Sequence, residues 1–293
     1  MGKLFALGPE QKPLDLTVFL AVLLAAVMHA SWNVMVKLKL DRFLSLCLIQ
    51  TLMGFMGLLM LAVFPWPAAA SLPYALASGV LHLGYNLFLA RSYRTGDLSQ
   101  VYPIARGAAP LLTLMTTWFV VHEEVGALGA LGVAVLVSGI WFVSVVGRRA
   151  IRLDGMTLFF ALGTSVFIAA YTIVDGLGGR VSGSPSAYAA TVFIFDALFL
   201  AITAVSLRGM GIVRQVAPFW KSGLIGAFLS AGAYWIAIWA MSHAPIASVA
   251  ALRETSILIV MLLSMRYLKE TVTSVRLAGA GLIVAGAVLI RLA

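Results

Sequence analysis

The chain consists of long apolar segments that follow one another with very short polar connections. Segments of about 20 mostly apolar residues are long enough to cross the hydrocarbon core of a bilayer as helices. Hydrophobic residues make up 62% of the 293 residues and charged residues 11%, against roughly 45–50% and about 25% in soluble domains. Too little polar surface remains to cover a soluble particle. The composition therefore predicts an all-α integral membrane protein.

Ten segments of this kind can be marked along the sequence. They cover residues 17–36, 43–64, 71–91, 98–121, 124–146, 156–175, 187–207, 218–242, 246–265 and 272–291. The N-terminal tail, residues 1–16, lacks a long apolar stretch followed by a small-residue cleavage site, so no removable signal peptide is expected. The prediction is ten transmembrane helices.

The second half of the sequence repeats the first. A shift of 147 residues aligns charged residues and glycines on comparable segments: Arg106 with Arg253, Glu123 with Glu270, Gly132 with Gly279, and Gly139 with Gly286. We interpret this as an internal duplication. The predicted units are a tail at 1–16, a first five-helix repeat at 17–147 and a second at 148–293.

The basic residues show how the two repeats are oriented. Fourteen of the twenty lie at the connections after odd-numbered spans, and four lie on the opposite side. The positive-inside rule then puts both termini outside the cytoplasm. Because five spans separate equivalent positions, the two repeats are predicted to be inverted. Inverted repeats are typical of secondary transporters, whose binding site lies near mid-membrane between the repeats.

These units resemble the drug/metabolite transporter superfamily, and within it the EamA-type ten-helix carriers. The resemblance covers residues 17–291 and is clearest in Arg106–Gly139 and Arg253–Gly286. It implies export of small metabolites across a bacterial-type inner membrane, with the aromatic and neutral amino-acid exporters most similar, and neither enzyme activity nor a cofactor. The first span has His29 and Asn33 but no acid, unlike small four-helix relatives that use a glutamate there for proton coupling.

Arg253, in the stretch PIASVAALRETSILIVMLLSM, is the most informative single residue. An arginine at mid-bilayer costs on the order of 2.5–3.5 kcal/mol, so its retention requires a reason. Arg253 and Arg106 either flank a cavity, where they bind a substrate carboxylate or a gate, or lock helices together. Glu254 is a candidate partner for Arg106 across the repeats. Asp196 is expected to pair with one of the arginines, with a titrating role as the alternative.

The third span places His82, Tyr85 and Asn86 on one helix face, where they either line a cavity or satisfy one another. Aromatic residues on other spans either form a wall of that cavity or belong to the interfacial belt. The predicted wall consists of Tyr234, Trp235 and Trp239, with Trp32 and Tyr171 at matching places in spans 1 and 6, and Tyr102 is expected to face the same cavity.

Two prolines in the fourth span, Pro103 and Pro110, either act as hinges or produce a static kink. The repeated glycines of the fifth and tenth spans are expected to allow close helix packing.

Other classes of function are poorly supported. His122-Glu123-Glu124 resembles the start of a zinc-binding helix, but position 126 is Gly126 rather than the second histidine, so no metal site is predicted. No catalytic residue is predicted. An intramembrane enzyme and a channel remain as remote alternatives, and a multidrug or other metabolite efflux carrier as the nearer one. The expected partners are a small-molecule substrate and the lipid bilayer, without nucleic acid, and a monomer is compatible with the sequence.

Overall fold

All ten predicted spans are helical in the computed structural model, which describes residues 13–35, 42–95, 98–144, 155–268 and 273–293. The first repeat contains α1 (Leu16–Met35), α2 (Arg42–Val63), α3 (Leu72–Thr95), α4 (Leu98–Thr116) and α5 (Ala127–Ser144). The second contains α6 (Gly155–Val181), α7 (Pro185–Arg208), a short α8 (Gly211–Val216), α9 (Trp220–Met241), α10 (Ile246–Arg253), α11 (Ser256–Leu268) and α12 (Ser274–Leu292). Together, α10 and α11 form the ninth span.

Nine stretches of the described chain are long and apolar enough to cross a membrane. The tenth span is α3, whose polar residues His82, Asn86 and Arg91 reduce its hydropathy. α3 packs against α6 and α7, and His82 and Asn86 are buried, so these two side chains do not face lipid. The fold is therefore the predicted all-α bundle of ten spans in two five-helix units.

The helix packing reflects the relation between the two repeats. α5 packs against α12 and α2 against α7, so each of these spans contacts its own counterpart. The contact of α3 with α6 is matched by that of α9 with α1, and the contact of α3 with α7 by that of α9 with α2. Most packing surfaces thus join the two halves, and the interior lies at the interface between the repeats.

Helix ends are fixed by local side-chain hydrogen bonds. Asp15 accepts hydrogen bonds from the backbone N–H groups of Thr17 (2.8 Å) and Val18 (3.2 Å), and these bonds lower the pKa of Asp15. Ser184 precedes Pro185 at the start of α7 and accepts from Ala187 N. α4 ends in a π-helical turn, Thr117–Val121, closed by His122 in the left-handed conformation at φ 57°.

α5 and α12 pack backbone to backbone, as the glycine pattern predicts. A Cβ atom on Gly286 would lie 2.5 Å from Leu136 N, and one on Gly139 would lie 2.6 Å from Gly279 O. In lipid, helices associate chiefly through close van der Waals packing, so small residues at the contact are required. Gly281 of α12 has open space around it and serves as a control.

We expect Gly286→Leu to destabilise the bundle and Gly281→Leu to leave it nearly unchanged. Overpacking costs about 1–3 kcal/mol where side chains can move, and backbone at the Gly286 contact cannot move aside. The thermal midpoint of the purified protein in detergent should fall by roughly 5 °C or more for Gly286→Leu. Equal midpoints for the two variants would contradict the described α5–α12 contact.

Candidate functional site

The ninth span is broken next to Arg253, the intramembrane arginine of the stretch PIASVAALRETSILIVMLLSM. α10 ends at Arg253, and α11 begins at Ser256 after a turn at Glu254–Thr255. Across the turn the backbone bonds shift from four-residue to three-residue spacing, with Glu254 N donating to Ala251 O and Ile257 N donating to Glu254 O. The apolar segment 246–265 predicts one continuous helix, whereas the structure has two, α10 and α11. The break places two adjacent charged side chains inside the bundle.

Glu254 pairs with Arg106, as predicted. Arg106 Nε donates to Glu254 Oε2 at 2.9 Å, and both residues are buried. Arg106 comes from α4 of the first repeat and Glu254 from the turn of the second. The pair therefore neutralises two buried charges and joins the two halves, which is the usual condition for retaining charges in such a place.

Arg253 has a different environment from Arg106. Its guanidinium carbon lies 5.1 Å from the centroid of the Tyr234 ring, a cation–π arrangement. Within the described part of the chain, Arg253 forms no ion pair. The two arginines related by the repeat are therefore not equivalent: Arg106 is neutralised, and Arg253 keeps its positive charge over an aromatic face.

An aromatic cluster surrounds this cation. The rings of His82 and Tyr171 are stacked with centroids 4.0 Å apart, and Tyr234 meets the His82 ring edge-on at 5.4 Å. Tyr85 contacts Tyr171 at 5.8 Å. The structure thus brings His82 and Tyr85 of α3 together with Tyr171 of α6 and Tyr234 of α9, two residues of the predicted aromatic wall.

Asp175 is a site residue that the sequence analysis missed. It lies on α6 with no exposed surface, accepts a hydrogen bond from Tyr188 Oη at 2.9 Å and another from Tyr234 Oη. The sixth span was predicted to end at residue 175, but α6 continues to Val181, which places Asp175 inside the protein. The signal available in the sequence was Asp175 itself, an acid within an apolar segment.

A small cavity lies where α4, α6 and the broken ninth span meet. Its lining combines the cationic and acidic groups with polar and apolar side chains from the two repeats: Arg106, Ala109, Pro110, Thr113, Ile168, Tyr171, Thr172, Ala250, Arg253 and Glu254. α4 remains helical through Pro110.

Several other predicted site residues lie away from this cavity or have side chains outside the described residues. Asn86 is buried on α3, and its Nδ2 has no hydrogen-bond partner in the described chain. Trp239 lies at the end of α9, where its ring packs against His243 at 4.8 Å instead of joining the tyrosine cluster. The side chains of Tyr102 and Pro103 lie outside the described residues.

The predicted pairing of Asp196 with an arginine is wrong. Asp196 Oδ2 accepts a hydrogen bond from Gln50 Nε2 of α2 at 2.7 Å. α7 faces α2 at this point because these two spans are counterparts across the interface between the repeats, and the arginines lie on other helices. The distance between Gln50 and Asp196 in the sequence does not indicate that α2 packs against α7.

A second polar cluster closes one end of the bundle, and we call Glu123, Arg180 and the N-terminus of α10 the latch. Arg180 Nη2 donates to Glu123 Oε1 at 2.5 Å, and Ile246 N donates to Glu123 Oε2 at 2.8 Å. Arg180 also donates to the carbonyl oxygens of Met241 (2.8 Å) and Ala244 (2.9 Å). Glu123 belongs to the first repeat and the other groups to the second. Glu270, the counterpart of Glu123, lies outside the described residues.

We expect Glu254→Gln to destabilise the protein because it removes the carboxylate that Arg106 pairs with in this buried contact. Removing one partner of a buried pair costs about 3–5 kcal/mol, whereas replacing both by apolar residues of similar volume is often neutral. Thermal midpoints in detergent should therefore fall for Glu254→Gln and recover in the double variant Arg106→Met with Glu254→Met. A double variant less stable than the single one would contradict this account of the pair.

The comparisons with known proteins agree with this architecture. Compared by sequence with curated proteins, the chain has no significant match. One solved crystal structure superposes with a TM-score of 0.72 over 93% of this chain and 94% of that chain at 15% sequence identity, which shows a shared fold. The sequence model of the EamA-like transporter family matches twice, over residues 16–145 and 155–292. The chain is a multi-pass membrane protein and belongs to the EamA-like transporter family.

Proposed function

We propose that this protein is a secondary carrier that exports small zwitterionic metabolites, most readily aromatic or neutral amino acids, by alternating access between its two repeats. The observation that carries the proposal is Arg253, a cation on the cavity wall without a carboxylate partner in the described chain. A guanidinium binds a carboxylate through two parallel charge-assisted hydrogen bonds. Every amino acid carries that carboxylate, so Arg253 suits the constant part of the substrate.

The aromatic cluster supports the choice of substrate class. His82, Tyr171 and Tyr234 present ring faces and edges beside the Arg253 cation. Aromatic rings prefer offset or edge-to-face contacts worth about 0.5–1.5 kcal/mol beyond the area they bury. A substrate with its carboxylate on Arg253 and an aromatic side chain against these rings would use both features.

Arg106 has a separate role in this proposal. Its charge is already neutralised by Glu254, and the pair spans the two repeats beside the cavity. We assign it to holding the mid-membrane contact between the halves, while Arg253 binds substrate.

The latch supports closure at one end of the carrier. It joins the end of the fourth span to α6 and to the start of α10, across the interface between the repeats. The charge distribution of the connections assigns this end to the non-cytoplasmic side of an inner membrane, with both termini on that side. Release of an exported substrate then requires the latch to open. The direction of transport itself follows from the family resemblance.

One observation favours a second candidate, a carrier of lipophilic cations. Asp175 is a buried acid next to the tyrosine cluster, and its Tyr234 partner also contacts Arg253. A cationic drug with an aromatic body would use Asp175 in place of Arg253.

Counterflow in proteoliposomes tests the substrate and the role of Arg253 together. Labelled phenylalanine, threonine and a cationic dye are compared for wild type, Arg253→Gln and the exposed control Arg214→Gln. Loss of charge-assisted bonds worth about 1.5–3 kcal/mol predicts that the apparent KM for phenylalanine rises roughly 10- to 100-fold in Arg253→Gln alone. Dye flux without amino-acid flux favours the second candidate, and an unchanged KM would make Arg253 structural.

The latch predicts accessibility of the cavity from the non-cytoplasmic side. In a Cys47→Ala background, Thr172→Cys places a thiol on the cavity wall. Arg180→Gln removes charge-assisted bonds of the latch and should raise its labelling rate by an impermeant maleimide roughly tenfold. Glu124→Gln changes the neighbouring exposed acid and should leave the rate unchanged. Equal rates in all three proteins would exclude a gating role.

A further inference from the structure

A second polar pair lies away from the Arg253 cavity, in the contact between α2 and α7, where Asp196 is buried and Gln50 is half-buried. Gln50 Nε2 donates to Asp196 Oδ2 at 2.7 Å, and Asp196 is 4% exposed. Two oxygens of the pair are buried without a hydrogen-bond partner among the described residues: the amide oxygen Gln50 Oε1 and the second carboxyl oxygen Asp196 Oδ1. Both remaining atoms are thus acceptors in need of a donor.

One proton resolves both deficits. An ionised carboxylate accepts hydrogen bonds only, whereas a protonated carboxyl also donates one. With the proton on Asp196 Oδ1, that oxygen becomes a donor, and Gln50 Oε1 is the acceptor on the partner side chain. The product is a carboxylic acid–amide pair joined by two antiparallel hydrogen bonds. Each buried acceptor left unsatisfied would instead cost about 1–3 kcal/mol.

The surroundings favour a proton over a metal cation. α2 and α7 approach closely on one side of the pair: a Cβ on Gly54 would lie 2.5 Å from Ala197 Cβ, and one on Gly57 would lie 2.6 Å from Ala190 O. A hard cation binds about six oxygen ligands, and this contact offers the two free oxygens of Gln50 and Asp196. An ionised carboxylate without a paired cation is strongly disfavoured when it is buried, as Asp196 is.

The charged groups around α7 do not neutralise Asp196. Within the described residues Asp196 forms no ion pair, and Asp175 of α6 is a second buried acid. Arg208 lies on α7 itself but twelve residues on, about 18 Å along the helix axis. The helices packed against α7, and α7 itself, contribute these titratable groups among the described side chains: Cys47 of α2, Tyr74, His82, Tyr85 and Arg91 of α3, Tyr171, Asp175 and Arg180 of α6, Tyr188 and Arg208 of α7, Arg214 of α8, and Lys221 and Tyr234 of α9.

We infer that Asp196 and Gln50 form a proton-binding site, and that its proton is the coupling ion of the carrier. Gln50 belongs to the first repeat and Asp196 to the second, so the protonated pair ties the halves together. Loss of the proton leaves two buried acceptors without a donor and a charge on the buried Asp196. That state favours separation of α2 from α7 and entry of water, so protonation biases the equilibrium between two conformations.

Infrared spectroscopy of the purified protein tests the proton directly and needs no substrate. A carboxyl group that is protonated at pH 7 has a C=O stretching band that an ionised one lacks. We expect this band to lose one group's intensity in Asp196→Asn, and to be unchanged in the control Glu124→Gln. No loss at pH 7 in Asp196→Asn, or a wild-type band abolished by adding sodium, would overturn the proton site.

A second variant keeps the test decisive if Asp196→Asn fails to fold. Gln50→Leu retains the carboxyl group but removes both of its amide partners. The band assigned to Asp196 should then move to higher frequency, because a carbonyl without a hydrogen bond stretches at higher frequency. An unshifted band would contradict the acid–amide pair.

The coupling role rests on the proposed carrier function and has its own readout. Asp196→Asn replaces the acid–amide pair by an amide–amide pair of the same shape that cannot release a proton, so the measurement that decides the coupling role is accumulation driven by a pH gradient. Accumulation driven by a pH gradient should be lost. Retained pH-driven accumulation, or accumulation that follows a sodium gradient, would refute coupling through Asp196. If wild type transports no phenylalanine, the proposed substrate fails while the infrared result still decides the proton site.

Discussion

The absence of water from the bilayer core is the constraint on which the rest of this structure depends. Every backbone N–H and C=O group there must be satisfied within the protein, which is why each described span is helical. Departures from regular helix occur where other groups take over. At the break in the ninth span, hydrogen bonds of three-residue spacing bridge the Glu254–Thr255 turn. At the start of α10, Glu123 accepts from Ile246 N, a group that α10 itself leaves without a partner.

The same constraint determines where charged and polar side chains meet. Three polar links, Arg106–Glu254, Gln50–Asp196 and Arg180–Glu123, each join the first repeat to the second. Tight apolar contacts also cross that interface, as the glycines of α5 and α12 show. In a carrier the interface between repeats is the part that must move. Polar links suit such an interface because they can exchange partners with water, substrate or protons, whereas a glycine contact suits a fixed axis.

The two arginines that the repeat relates, Arg106 and Arg253, lie in different environments, although the two repeats share one architecture. Arg106 has a carboxylate, and Arg253 has an aromatic face. The difference arises because Glu254 follows Arg253 in the chain yet points to the other half, while the residue after Arg106 is Gly107. Both repeats carry an arginine at this position. Glu254, present only in the second repeat, pairs with Arg106 of the first, and Arg253 forms no ion pair among the described residues.

The sequence by itself determined the ten spans and their duplication and named Glu254 as a candidate partner of Arg106, because apolar length, charge placement and the cost of a buried arginine are local or repeated signals. Only the tertiary structure decided the partner of Asp196, the burial of Asp175 and the function of Arg180 as a link instead of a loop charge. Those outcomes depend on which helix faces which across the bundle. Which helices face each other is set by packing between residues far apart in sequence. The periodicity of a single sequence does not report such contacts.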